Sequence, residues 1–148
     1  MAGFTLERRI SAPPEVVFDV LTNHRGYADI TPVRRVELER EGDPAPDGVG
    51  AIRVIRSVGP PLREEIVAYE RPTRFSYTVL SGAPMRDHIG NADLYPSDGG
   101  TRIVYAVHMT PTVPLIGGAV VFAIKQAVGR LLDGVGKESE RLAAAANG

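Results

Sequence analysis

Between residues 75 and 109 the apolar side chains keep to every second position, and beyond Pro111 that rhythm gives way to a helical one. Phe75, Tyr77 and Val79 share one parity, as do Arg86, His88, Gly90, Ala92 and Leu94, and then Ile103, Tyr105, Val107 and Met109. Side chains alternate across a strand, so each set belongs to one face. From Pro114 to about Ala144 the stripe Val120 or Val121, Ile124, Val128, Leu131, Val135 and Leu142 repeats at helical spacing and predicts one long helix. A curved sheet facing a single helix encloses a space. The inward parity also includes Arg86 and His88, and buried polar groups cost free energy unless they are hydrogen-bonded. Two of them among apolar neighbours point to a binding cavity.

Upstream, Phe4, Leu6, Arg8 and Ile10 alternate with Thr5, Glu7 and Arg9 and predict an opening strand. Ser11-Ala-Pro-Pro-Glu15 then supplies a helix start, with Ser11 or its neighbour as cap and proline in the first turn. Val16, Val17, Val20 and Leu21 follow at helical spacing, and a second short helical turn over His24 to Asp29 ends at Thr31-Pro32. From Val33 onward, turn signals recur at hairpin intervals: Glu41-Gly-Asp-Pro, Asp47-Gly48, Gly59-Pro-Pro61, Arg71-Pro72, Gly82-Ala-Pro84 and Ser97-Asp-Gly-Gly100. They predict an antiparallel meander of six further strands. The loop 42–48, rich in Pro, Gly and Asp, is the candidate mobile element. In the long helix Gly117, Gly118, Gly129, Gly134 and Gly136 each cost roughly 1 kcal/mol relative to alanine. Close helix packing explains such a run, and so does room for a ligand.

Composition narrows the function classes. A chain of 148 residues with 43% hydrophobic content suits a single domain over residues 1–148 with its own core. Its 17 basic and 18 acidic residues give a net charge of -1, with no general pull toward nucleic acid or an anionic membrane. Cysteine is absent, which removes disulfides, thiolate nucleophiles and Cys-ligated metals. His24, His88 and His108 are scattered and lack the helical spacing of a metal pair, so no metal is expected. The amino terminus carries charge where a signal peptide needs an apolar core, which favours a cytoplasmic location. The uncharged run from Met109 to Ile124 is shorter than the roughly 20 residues of a membrane span and is broken by Pro111 and Pro114, so membrane insertion is not expected. No serine has the glycine pattern of a nucleophile elbow, and Gly48-Val-Gly50 lacks the third glycine of a nucleotide loop. No cofactor is expected either.

The candidate site residues fall on the inward parity. Arg53 and Glu64 flank the turn at Gly59-Pro-Pro61 and can face each other, either as an ion pair fixing the hairpin or as a polar anchor for a ligand carbonyl or hydroxyl. His88 is the candidate for acid-base work, because imidazole titrates near neutral pH. The alternative is a core histidine bonded to Tyr77 or Tyr105. Tyr77 and Tyr105 add hydroxyls to apolar ring area. Arg86, near a strand end, suits the rim. The expected ligand-binding set is Arg53, Phe75, Tyr77, Arg86, His88, Tyr105, Val107, Met109, Val121 and Ile124, and the expected catalytic set, if a reaction occurs, is His88, Tyr105 and Glu64. His24 and Asp29 need no more than a surface position.

The order of a strand, two small helices, a meander and a long helix resembles the START-like (SRPBCC) superfamily. Ile10-Ser-Ala-Pro-Pro-Glu-Val-Val-Phe-Asp-Val-Leu is similar to its opening strand and helix, and Tyr27 and Pro32 to the aromatic and proline that follow. The segments 48–53, 64–67, 71–77, 81–87 and 100–105 are similar to the polyketide cyclase/dehydrase-like branch, although Ile30 and Tyr105 stand where that branch often has tryptophan. The resemblance implies an α+β helix-grip fold, with a seven-stranded antiparallel sheet wrapped around the C-terminal helix. It also implies a cavity for hydrophobic or amphipathic small molecules such as lipids, sterols or polyketides. Fold does not fix function. The leading expectation is a non-covalent binder of such a molecule. A cyclase or dehydratase would use His88 with a tyrosine or Glu64. An interaction module would dock the apolar half-helix 115–124 on a partner or a second copy, giving a homodimer, and exposure of that segment would favour it.

Overall fold

The computed structural model describes residues 2–147. Strand β1 (Ala2–Ile10) leads into α1 (Pro14–Thr22), a single 3-10 turn (His24–Gly26) and α2 (Tyr27–Ile30). Strands β2 (Arg35–Arg40), β3 (Ile52–Arg56), β4 (Leu62–Glu70), β5 (Arg74–Ser81), β6 (Met85–Ser97) and β7 (Gly100–Pro111) follow, and α3 (Gly117–Asn147) ends the chain's described part. The strands form one sheet in the order β1-β7-β6-β5-β4-β3-β2, antiparallel throughout. This is the helix-grip arrangement.

Local chemistry explains the element ends. Proline at the first position of α1 costs no hydrogen bond, and the Pro13 carbonyl accepts the amides of Val16 and Val17 at 3.0 and 3.1 Å. Ser11 does not cap that helix, contrary to the sequence reading. Its amide donates to Glu140 Oε2 at 2.8 Å and its hydroxyl accepts from Arg9 at 3.0 Å, which ties the end of β1 to α3. Helix α3 starts at Gly117 and not at Pro114, because Leu115 adopts a φ of 72°, a left-handed conformation that a helix cannot continue through. The loop at 42–48 is tied down: Asp43 and Val49 form a β-bridge, and Asp47 reaches His24.

The long helix is held unevenly. Val128, Leu131, Leu132, Val135 and Ser139 are buried, whereas Val120, Val121 and Ile124 are only partly covered and Leu142 is exposed. Gly134 packs where α2 ends: a Cβ there would lie 2.1 Å from the Ile30 carbonyl oxygen. Close packing therefore accounts for that glycine. Gly118 meets nothing within 4 Å. The carboxyl half of α3 is thus clamped to the sheet while the amino half stands off it. No helix among the described residues is long and apolar enough to cross a membrane.

A bulge in β6 corrects one facing. Arg86 pairs with Thr110 and Ile89 with His108, so Asp87 and His88 together oppose Met109, with Asp87 at a φ of 52°. The extra residue resets the alternation. His88, Gly90, Ala92 and Leu94 point inward as expected, but Arg86 points out, its side chain 71% exposed, and Met85 takes the inward place.

Candidate functional site

The gap under the amino half of α3 is a cavity of about 230 Å³. Val33, Ile55, Leu62, Val79, Met85 and Ile124 give it apolar walls, and Tyr27, Arg53, Glu64, Tyr77, His88 and Tyr105 bring polar atoms to it. Of the expected residues, Arg53, Glu64, Tyr77, His88, Tyr105 and Ile124 meet here. Phe75, Val107 and Met109 are completely buried but belong to the core beyond the cavity wall, and Val121, just short of one turn before Ile124, lies outside the lining. Parity names the face of a strand and is silent on where along it the covering helix lifts off. Phe75 shows this, since the His24 ring covers it at a centroid distance of 5.4 Å.

Arg53 and Glu64 stand directly opposite in the β3–β4 register. Nε of Arg53 donates to Glu64 Oε1 at 2.8 Å, Nη2 lies 2.7 Å from the same oxygen as an ion-pair contact, and Nη1 donates to the Tyr27 hydroxyl at 3.2 Å. The guanidinium carbon lies 4.5 Å from the centre of the Tyr77 ring. With Arg53 only 2% exposed, this is a desolvated cation held by one carboxylate oxygen, a phenol and a ring face. Burial pushes the Glu64 carboxyl above its usual range while Arg53 opposes the shift, and Glu64 in turn holds the guanidinium firmly protonated against burial. Glu64 Oε2 has no hydrogen-bond partner among the described residues, yet it is not sealed off. It opens to the cavity.

Tyr27 donates its own proton to the Leu21 carbonyl through a very short contact. Tyr105 donates to the Tyr77 hydroxyl at 2.7 Å, which leaves the Tyr77 proton for another acceptor. Burial raises both phenols, so they remain protonated. Tyr77 lies flat across β6 because its register partner is Gly90, where a Cβ would come within 2.5 Å of the ring.

His88 Nδ1 accepts the Val79 amide at 3.2 Å. A backbone N–H can only donate, so the imidazole proton sits on Nε2. That Nε2–H has no partner among the described residues and is not sealed, which makes it a donor toward the cavity. Burial, and secondarily the Arg53 cation, lower the His88 pKa to about 4, so the ring is neutral at pH 7.

His24 corrects another expectation. It is 0% exposed, behind the cavity floor, with the Tyr27 and Phe75 rings at 5.7 and 5.4 Å and Asp47 Oδ1 2.9 Å from Nδ1 in a bent contact. Burial first, then Arg53, lowers its pKa to about 4. Asp29 is exposed. Tyr27, Met85 and Val33 were not among the expected lining residues; the aromatic place of Tyr27 in the family-like pattern was the available signal. Elsewhere on the surface Val58 and Leu115 are fully exposed, Phe122 is more than half exposed, and Val113 and Ile116 are partly so. Among the described residues no three His, Asp or Glu side chains converge to hold a metal.

A family model described as polyketide cyclase / dehydrase and lipid transport matches residues 1–145. Solved structures share the fold: a START superfamily protein from Mycobacterium smegmatis (TM-score 0.79, 9% identity, 95% of this chain and 98% of that one) is one. The Zhui aromatase/cyclase from a Streptomyces species has TM-score 0.75 and 19% identity over 95% of this chain and 94% of that one. A protein from Thermus thermophilus has TM-score 0.71 and 22% identity over 99% of this chain and 100% of that one. No curated protein sequence matches. With the match running over nearly its whole length, the chain belongs to the polyketide cyclase / dehydrase and lipid transport family.

Proposed function

We propose that the chain binds a small, mainly apolar molecule non-covalently between the sheet and α3. The observation that carries this reading is the cavity itself, with apolar walls and polar atoms gathered on neighbouring strands β3 to β7. Small-molecule sites usually enclose about 300–1,000 Å³, so a volume of about 230 Å³ suits a ligand of one or two rings better than a long-chain lipid. Proton transfer fits the geometry less well. The His88 lone pair is taken by the Val79 amide and the Tyr105 proton by Tyr77, which leaves Glu64 Oε2 as the free base. Native mass spectrometry of the purified protein, followed by extraction, tests the proposal, with Val79→Trp as the cavity-filling control. The wild type should retain or take up a small apolar molecule and the variant should not. A folded wild type that takes up no apolar probe at its solubility limit sinks the reading.

The exposed Leu115 and Phe122 favour a second reading, in which the amino half of α3 docks on a partner or another copy of the chain. Sedimentation of the wild type against Phe122→Ser checks the homodimer form. A wild type that stays monomeric at every concentration removes it.

A further inference from the structure

The cavity's polar groups are more selective than a general polar patch, and the inference drawn from them rests on the cavity being a ligand site. The Arg53 cation is already neutralised: two of its nitrogens converge on Glu64 Oε1, a third meets Tyr27, and its face is covered by Tyr77. What the sheet otherwise turns to the cavity is uncharged or negative, and the further cation of the lining, Arg130 on α3, is solvent-exposed. Glu64 Oε2 can accept, while His88 Nε2–H and the free proton of Tyr77 can donate.

These groups are neighbours by construction. Glu64 is the register partner of Val79, whose amide holds His88, and the Tyr77 and His88 rings are 5.3 Å apart. One ligand group can therefore reach an acceptor and a donor together. We infer that the site recognises an uncharged group that both donates and accepts a hydrogen bond, a phenol, enol or alcohol on an apolar body, and rejects carboxylates of the same shape. A carboxylate seated against the sheet would bring a second negative charge beside Glu64, and the solvent-exposed Arg130 of α3 offers it only a screened partner. A neutral hydroxyl gives its proton to Oε2 and accepts from His88 or Tyr77. A hydrocarbon leaves all three unmet, and unmet buried polar groups are where discrimination of this kind arises.

The test compares naphthol, naphthoate and naphthalene, which share one apolar body, binding to the wild-type protein at pH 7. Naphthol should bind about tenfold or more tighter than the other two, the difference that one or two net hydrogen bonds supply. Glu64→Gln should close the gap between naphthol and naphthoate by lifting the repulsion. His88→Leu, which leaves the ion pair untouched, should weaken naphthol and leave naphthalene unchanged. If Glu64→Gln does not fold, the wild-type ranking and His88→Leu still decide. Equal binding of all three ligands overturns the head-group selectivity and leaves the cavity proposal standing, as does a preference for naphthoate. Failure of all three to bind overturns both.

Discussion

Replacing Glu64 by leucine leaves the Arg53 guanidinium buried with only the Tyr27 hydroxyl and the ring faces of Tyr77, Tyr27 and Phe75 to answer its charge. Removing one partner of a buried pair costs about 3–5 kcal/mol. Against a total of about 5–15 kcal/mol for an ordinary domain, the variant should remain folded at 25 °C with a much reduced margin. For a chain of this size each kcal/mol moves Tm by about 2–4 °C, so the midpoint should fall by roughly 6–20 °C. The double variant Arg53→Met with Glu64→Leu should recover most of that loss, because a buried pair replaced by apolar groups is often neutral or better. Recovery should be incomplete, since Arg53 also donates to Tyr27, a contact worth about 1 kcal/mol. Urea denaturation of the wild type, both single variants and the double variant measures this as a coupling energy. A Glu64→Leu loss under about 1 kcal/mol would refute the argument, because it would mean the cation finds water or another partner in the cavity.

Other outcomes follow from particular contacts. His24 has a folded pKa of about 4 against 6.5 for the free side chain, so the unfolded chain takes up its proton first as the pH falls. The stability tied to its neutral form is complete above pH 6.5 and is lost toward about pH 4; it amounts to on the order of 3 kcal/mol. In urea titrations across that window, His24→Phe should reduce the pH dependence without abolishing it, because His88 is lowered over the same range, and an unchanged slope would refute the assignment. Gly90→Ala should push the Tyr77 ring from its place, lower stability by about 1–3 kcal/mol and weaken ligand binding; wild-type affinity in that variant would count against the packed arrangement. Arg86→Ala should change stability by no more than about 0.5 kcal/mol and leave ligand affinity alone, which binding and thermal melts can check.

The sheet, the meander and the long helix were legible because burial imposes the period of two on strands and about 3.6 on helices. Tyr77, His88 and Tyr105 kept the facing that this rule assigned. Arg86 did not, because an Asp in the left-handed region leaves no mark on hydropathy while it shifts the facing upstream of it. The ion pair of Arg53 and Glu64 was visible as a hairpin register, whereas its junction with Tyr27 and Tyr77 depended on how α2 folds back over the sheet. His24 read as a surface residue because its burial comes from the 42–50 loop and from Phe75, both distant in sequence. The cavity could be expected but not bounded, since the point where α3 lifts from the sheet depends on the left-handed Leu115 and on the packing of Gly134 against Ile30.

The bulge at Asp87 has a meaning for chain length. Without residue 87, His88 would oppose Met109 and Arg86 would still oppose Thr110, so a chain one residue shorter at this point would keep every inward side chain where it is. Loss of Arg86 has the same outcome, with Asp87 taking its outward place opposite Thr110, whereas a deletion at 89 or beyond turns the residues between the bulge and the gap to the other face. Length variation within this strand should therefore be accepted at 86 and 87 and refused from 88 onward, and a deletion scan along 85–94 would display that tolerance as one short permissive window at the bulge.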